Sequence, residues 1–292
     1  MLQQRPRTDG DASMRRSDED HYVFDNAGTQ TPSRFSALAS IFDPGSIRCL
    51  TQLGLGQGWS CLEAGGGGGS IASWLCDRVG PNGRVVATDI DTRFLETLNK
   101  SNLEVRRHDI VSNPLPEAAF DLVHTRLVLM HLPGREKALG KLVAALRPGG
   151  WLMAEEFDSL SVRPDPDVNP AEVSLKTFAV MQRVMIDRGV DLRYGRALVG
   201  RLRAHGLAHV ASEGRTFMWH GGSPATEMYR ANIEQLRGPM IESGLITQKE
   251  IDRDLARMDD ENFLVPSPIM WAAWGRKPVS DLPAALPLAS GR

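Results

Sequence analysis

The sequence has little that ties a protein to a membrane, to nucleic acid or to an oxidising compartment. Its three cysteines, Cys49, Cys61 and Cys76 among 292 residues, are too few and too unevenly spaced for a disulfide framework or a zinc site. They read as reduced, packed thiols, and no ligand cluster suggests a metal. No apolar run approaches the ~20 residues of a membrane span. The opening MLQQRPRTDGDASMRRSDED lacks the apolar stretch of a secretory leader. A formal net charge of −2 excludes the basic footprint that nucleic acid or an anionic membrane surface attracts. These absences predict a cytoplasmic protein with a small-molecule partner, no nucleic acid and no membrane.

What is present is ordinary globular material, 41% hydrophobic and 24% charged, enough for one large domain. Residues 1–20 and 278–292 read as flexible tails, and 21–57 as a helical N-terminal segment. Within that segment PSRFSALASIFD and DPGSIRCLTQLGL read as two short helices, the second capped by Asp43 with Pro44 at its first position. From residue 58 to 277 apolar runs and helical periodicity alternate. The strands are WSCLEA, RVVATD, LEVRRHD, AFDLVHTRL and WLMAEEF, with helices following the glycine run, over 92–99 and over REKALGKLVAAL. That alternation predicts an α/β fold, a Rossmann-like doubly wound sheet of seven strands. Helical insertions near 159–190 and 223–262 precede the last strands, AHVASEGRTFMW and IMWAAWGRK.

The stretch CLEAGGGGGSIASWL, residues 61–75, places five glycines behind a glutamate. The dinucleotide fingerprint G-x-G-x-x-G fails in both frames, because Ser70 or Ile71 falls where the last glycine belongs. The frame that fits is acidic-x-G-x-G-x-G, with Glu63, Gly65, Gly67 and Gly69. Bare backbone lets a ligand lie on the turn, and Glu63 favours a cationic group over a phosphate. Further landmarks follow in order: Asp89–Ile90 ends the second strand, HDI (108–110) the third, and FDLVHTRLVLMHL and LRPGGWLMAEEF cover 120–132 and 146–157. This pattern of about 100 residues resembles the class I S-adenosylmethionine-dependent methyltransferases, of small-molecule type. The resemblance implies S-adenosyl-L-methionine as cofactor. It implies Asp89 on the ribose hydroxyls, Ile90 on the adenine, Asp109 on the adenine amine with Ile110 beside it, and Thr125 and Arg126 near the methionine part. Tyr22 and Arg34 are candidates for an N-terminal lid closing over the cofactor.

Methyl transfer from a sulfonium is an in-line displacement, in which the protein aligns the acceptor and excludes water. A neutral acceptor also needs a base. His131, in LMHLPGRE, and Glu156, in AEEF, are the catalytic candidates. Strand alternation turns Glu155 and Glu156 to opposite faces, so one of the two at most reaches the site. His124 lies inside a strand and reads as a satisfied core histidine. Met181, Met185, Trp219 and Met228 fall in or beside the insertions and suit an apolar acceptor pocket. The sequence leaves open the acceptor atom (O, N or C), a homodimer, a macromolecular acceptor, and a non-catalytic cofactor-binding protein of the same fold.

Overall fold

The run Cys61–Ala64 forms the heart of β1 (Ser60–Ala64), and every residue of it is buried. Continuous burial of this kind belongs to a strand covered on both faces. The structure, a computed structural model, describes residues 31–162 and 172–279. Around β1 lie β2 (Arg84–Asp89), β3 (Leu103–Arg107), β4 (Phe120–Arg126), β5 (Leu146–Asp158), β6 (Ala208–Arg215) and β9 (Ile269–Arg276), in the order β3-β2-β1-β4-β5-β9-β6. The β3-to-β5 neighbours pair in parallel, and β9 runs antiparallel between β5 and β6. Strand order reverses between β1 and β4, which opens a crevice at their carboxyl ends.

One face of the sheet buries Cys61, Val85, Leu122 and Met153 under helices α1 (Thr31–Gln52) and α2 (Ser70–Val79). The other buries Leu62, Val123, Leu152 and Ala154 under α3 (Arg135–Ala145) and α5 (Tyr194–Ala204). A second layer of helices, α4 (Glu172–Asp187), α6 (Pro224–Glu242) and α7 (Gln248–Arg257), packs beyond the crevice. A small antiparallel pair, β7 (Met218–His220) and β8 (Leu264–Pro266), joins it. Ser223 caps α6, its hydroxyl accepting from the Thr226 N–H, and Thr247 with Glu250 forms a capping box on α7.

Three local expectations change. Residues 31–52 form one helix that continues through Pro44, so Asp43 is no N-cap. Pro44 withdraws a hydrogen bond from the Ser40 carbonyl, but both residues lie on the exposed face, where solvent can satisfy that carbonyl. Burial of Arg34, Ala37, Phe42, Ser46, Cys49 and Leu50 at helical spacing runs unbroken across the site. Residues 92–99 hold a single 3-10 turn, Leu95–Thr97, fixed by the buried Leu95. The segment 208–219 breaks after Arg215, where β6 leaves the main sheet and β7 pairs with β8 instead. No helix among the described residues is long and apolar enough to cross a membrane.

Candidate active site

The glycine turn ends β1 and starts α2. Gly65, Gly67 and Gly69 have φ of 75°, 50° and 81°, the left-handed region where a side chain is strained. Space is closed as well: a Cβ on Gly65 would stand 2.1 Å from Val128, and one on Gly67 3.2 Å from the Phe35 ring. The turn is tied to β2, because the Gly65 and Gly66 N–H groups donate to the Thr88 carbonyl and the Gly67 N–H donates to Asp89 Oδ2 at 2.8 Å.

A cavity of about 650 Å³ opens on this turn. Glu63, Gly65 and Gly67 line it at the turn, with Asp89 and Ile90 from the end of β2, Asp109 and Ile110 from beyond β3, and Arg126 and His131 from the end of β4 and the turn after it. The acids are prepared differently. Burial raises the Asp89 carboxyl, which also accepts from the Asp91 N–H. Burial opposes ionisation of Asp109 too, but donation from the Ser112 hydroxyl and the Val111 N–H holds it below the usual range. Three carboxylates and bare backbone, with no lysine in the described lining, fit a ligand carrying hydroxyls and positive charge. They repel a phosphate.

The cavity roof comes from α1, inside the segment read as an N-terminal lid, but through Phe35, which the sequence did not single out. Phe35 lies across Gly67 and Gly68 and meets Phe94 edge to face, ring centroids 5.2 Å apart. Pro32, Ser36, Leu38 and Ala39 complete it. Arg34 lies one residue away from this roof and lines a second cavity instead. Tyr22 lies outside the described residues. A smaller chamber of about 100 Å³ adjoins the first, the two sharing Leu38, Leu127 and His131. Met181, Met185, Trp219 and Met228 all line it, together with Phe157, Phe178 and Tyr229.

Several candidates take other places. Thr125 points to the opposite face of β4 from Arg126; it is fully buried and outside the cavity lining. Arg126 reaches the cavity wall and is held there by the Ser46 hydroxyl at 3.0 Å and Asp43 Oδ1 at 2.8 Å. Glu156 corrects the reading of a catalytic acid. Its Oε1 accepts from the Val128 N–H at 3.1 Å and the Leu129 N–H at 2.7 Å, and the side chain is fully buried away from the lining. Burial pushes its carboxyl up to about 8. Glu156 therefore holds the turn Val128–His131 from beneath, next to Leu127 at φ 56°, a conformation costly for a non-glycine residue.

His131 sits on that turn at the junction of the chambers. Burial, with Arg34 and Arg135 nearby, pushes its imidazole down to about 3, so it is neutral at physiological pH. His124 is a satisfied core histidine, with partners that the sequence did not indicate. Its Nδ1 lies 2.6 Å from Glu63 Oε2 and its Nε2 3.1 Å from Glu155 Oε2.

Residues 62–154 match the family described as a methyltransferase domain. A methyltransferase of Strobilurus tenacellus, str3, is 30% identical over 156 residues, 53% of this chain and 55% of that protein. The ubiquinone/menaquinone biosynthesis C-methyltransferase UbiE of Francisella tularensis subsp. novicida is 31% identical over 164 residues, 53% of this chain and 64% of its own. The chain thus spans between half and two thirds of the length of these relatives. Among solved structures, a Haemonchus contortus phosphoethanolamine N-methyltransferase 2 in complex with S-adenosyl-L-methionine superposes with a TM-score of 0.54. That likeness covers 87% of this chain and 59% of the other at 16% identity. The YcgJ protein of Bacillus subtilis gives 0.52 at 13% identity, over 79% and 96% of the two chains. At these identities the structural likeness concerns the fold.

Proposed function

We propose, from the premise that residues 62–154 form a class I S-adenosylmethionine-dependent methyltransferase domain, that this protein methylates a small, largely apolar molecule. The observation that carries the reading is the pair of joined chambers. One is polar and acidic at the glycine turn; the other is apolar and rich in methionine, and His131 stands at their junction. When bound, S-adenosyl-L-methionine supplies an electrophilic methyl group together with its own leaving group.

The residues divide the work of holding it. Gly65 and Gly67 present backbone without side chains, and Asp89 offers carboxylate lone pairs to ribose hydroxyls. Ile90 and Ile110 supply apolar walls for the base, and Asp109 an acceptor for its amine. Glu63 answers the ammonium and Arg126 the carboxylate of the methionine part. Phe35 excludes water from above, which strengthens these polar contacts.

The acceptor belongs in the smaller chamber, whose described lining contains no carboxylate and one guanidinium, Arg34. Neutral or oxygen-bearing acceptors suit such walls better than ammonium compounds. His131, neutral but a weak base, orients an acceptor by hydrogen bonding and does little to deprotonate one. Acceptors that ionise by themselves, such as phenols or enols, are therefore favoured, with attack through O or C.

Purified protein incubated with methyl-labelled S-adenosylmethionine and a panel of phenols, enols and amines tests this reading. Label in a phenol or enol supports it. Label confined to amines, or to added protein or RNA, overturns the acceptor class.

A further inference from the structure

One titratable group inside the sheet has no part in the reading above, although its partner Glu63 lines the cavity. His124 is fully buried on β4, between β1 and β5. Its register partner on β1 is Glu63, and Glu155 of β5 stands two residues beyond its partner on that side. Both carboxylates are buried, and each faces one ring nitrogen. A neutral imidazole has one N–H and one lone pair, whereas an ionised carboxylate only accepts. With both acids ionised, the geometry is satisfied only when both ring nitrogens carry protons; otherwise a lone pair is pressed against a carboxylate in a dry interior.

The surroundings supply the charge balance. Glu155 Oε1 accepts from Arg215 of β6, which enters over Gly45 of α1, where a Cβ would stand 1.5 Å from Arg215 Nη1. Glu213, also on β6, lies 3.6 Å from Arg215 and pairs with Arg48 of α1. Near this row lie Arg126 with its partner Asp43, and the thiols of Cys49 and Cys61, which burial keeps protonated; Asp89 and Arg107 share the face further out, on β2 and β3. Burial opposes ionisation of Glu155, but the hydrogen bond and charge of His124, with Arg126 and Arg215, hold its carboxyl below the usual range. The sequence Glu63, His124, Glu155, Arg215, Glu213, Arg48 then alternates in sign from the cavity floor to the outer surface.

Resting on the cofactor reading above, we infer that His124 is a positioning residue: its doubly protonated ring fixes Glu63 Oε2 and leaves the other oxygen of that carboxylate for the ammonium end of the cofactor. Desolvation works against the charge, yet Glu63 and Glu155 raise His124 to about 9, consistent with the geometry.

The test compares two ligands that differ at that end. S-adenosylhomocysteine carries the ammonium and carboxylate; 5′-methylthioadenosine carries the nucleoside without them. In His124→Asn, S-adenosylhomocysteine affinity should fall at least about tenfold, with 5′-methylthioadenosine weakened less than about twofold. Equal losses for both ligands would mark a merely structural role and overturn the inference, as would no loss for either. Because that variant can fail to fold, the wild-type ring is also observed by 15N NMR at pH 7.5. Two protonated ring nitrogens on His124 support the inference, and one overturns it. Failure of the wild type to bind S-adenosylhomocysteine would reject the cofactor reading instead, and the NMR result would still decide the ionisation.

Discussion

Phe35 and Phe94 meet edge to face, with ring planes at 87°; both line the cavity, and Phe35 lies over Gly67 and Gly68. The pair joins α1, which precedes the sheet, to the segment after β2, so ligand enclosure depends on the packing of α1. Phe35→Ala should weaken S-adenosylhomocysteine binding about three- to tenfold, since an edge-to-face pair and its buried area contribute about 1 kcal/mol or more. Fluorescence or calorimetric titration measures it, and unchanged affinity would remove Phe35 from the roof.

Beneath that roof, Gly67→Val combines two penalties, a β-branched residue at φ 50° and contact with Phe35. Binding should be lost, with Tm lowered by only a few degrees because the turn is local. Retained binding would sink the role assigned to the turn.

The glycine turn, Asp89 and Asp109 were legible because each lies within a few residues of a strand end, and strand ends follow from local pattern. The opposed faces of Glu155 and Glu156 were legible for the same reason, through strand alternation. Phe35 was not, because only the docking of α1 brings it over Gly67. Nor was the fate of Glu156, since backbone amides from another connection claim its carboxylate. Pro44 misled for a related reason: its exposed position let the buried stripe of α1 override a local helix-breaking signal. His124 read as core from its place in a strand, but its two carboxylate partners come from neighbouring strands.

Glu156 gives a prediction on stability. Glu156→Ala leaves the Val128 and Leu129 N–H groups without their acceptor, at a cost of about 2–4 kcal/mol. Thermal unfolding should show Tm lower by roughly 5–10 °C. Labelled-methyl assays should show activity reduced as well, because the turn carries His131. Glu156→Gln keeps an acceptor oxygen and should lose much less; equal losses in the two variants would contradict the capping role.

Stability should also fall as pH rises, in two windows. Glu156 has its folded pKa raised above the free value, to about 8, so its contribution is full below about 4.5 and is lost as pH rises through about 8. His124, raised to about 9, contributes fully below about 6.5 and loses its contribution as pH rises through about 9. Urea unfolding between pH 5 and 10 should show the first decline flattened in Glu156→Gln and the second in His124→Asn. Wild-type stability that is constant across the range would contradict both assignments.

The central claim is that the cavity at the carboxyl ends of β1, β2 and β4 binds S-adenosylmethionine through its acidic wall. Calorimetric titration of the wild type and Asp89→Ala with S-adenosylhomocysteine tests it most directly. Asp89 meets the ribose in this account and also anchors the Gly67 N–H. One saturable site per chain, weakened at least about tenfold in the variant at unchanged circular dichroism, is the predicted result. No binding by the wild type, or equal affinity in the two proteins, would contradict the account.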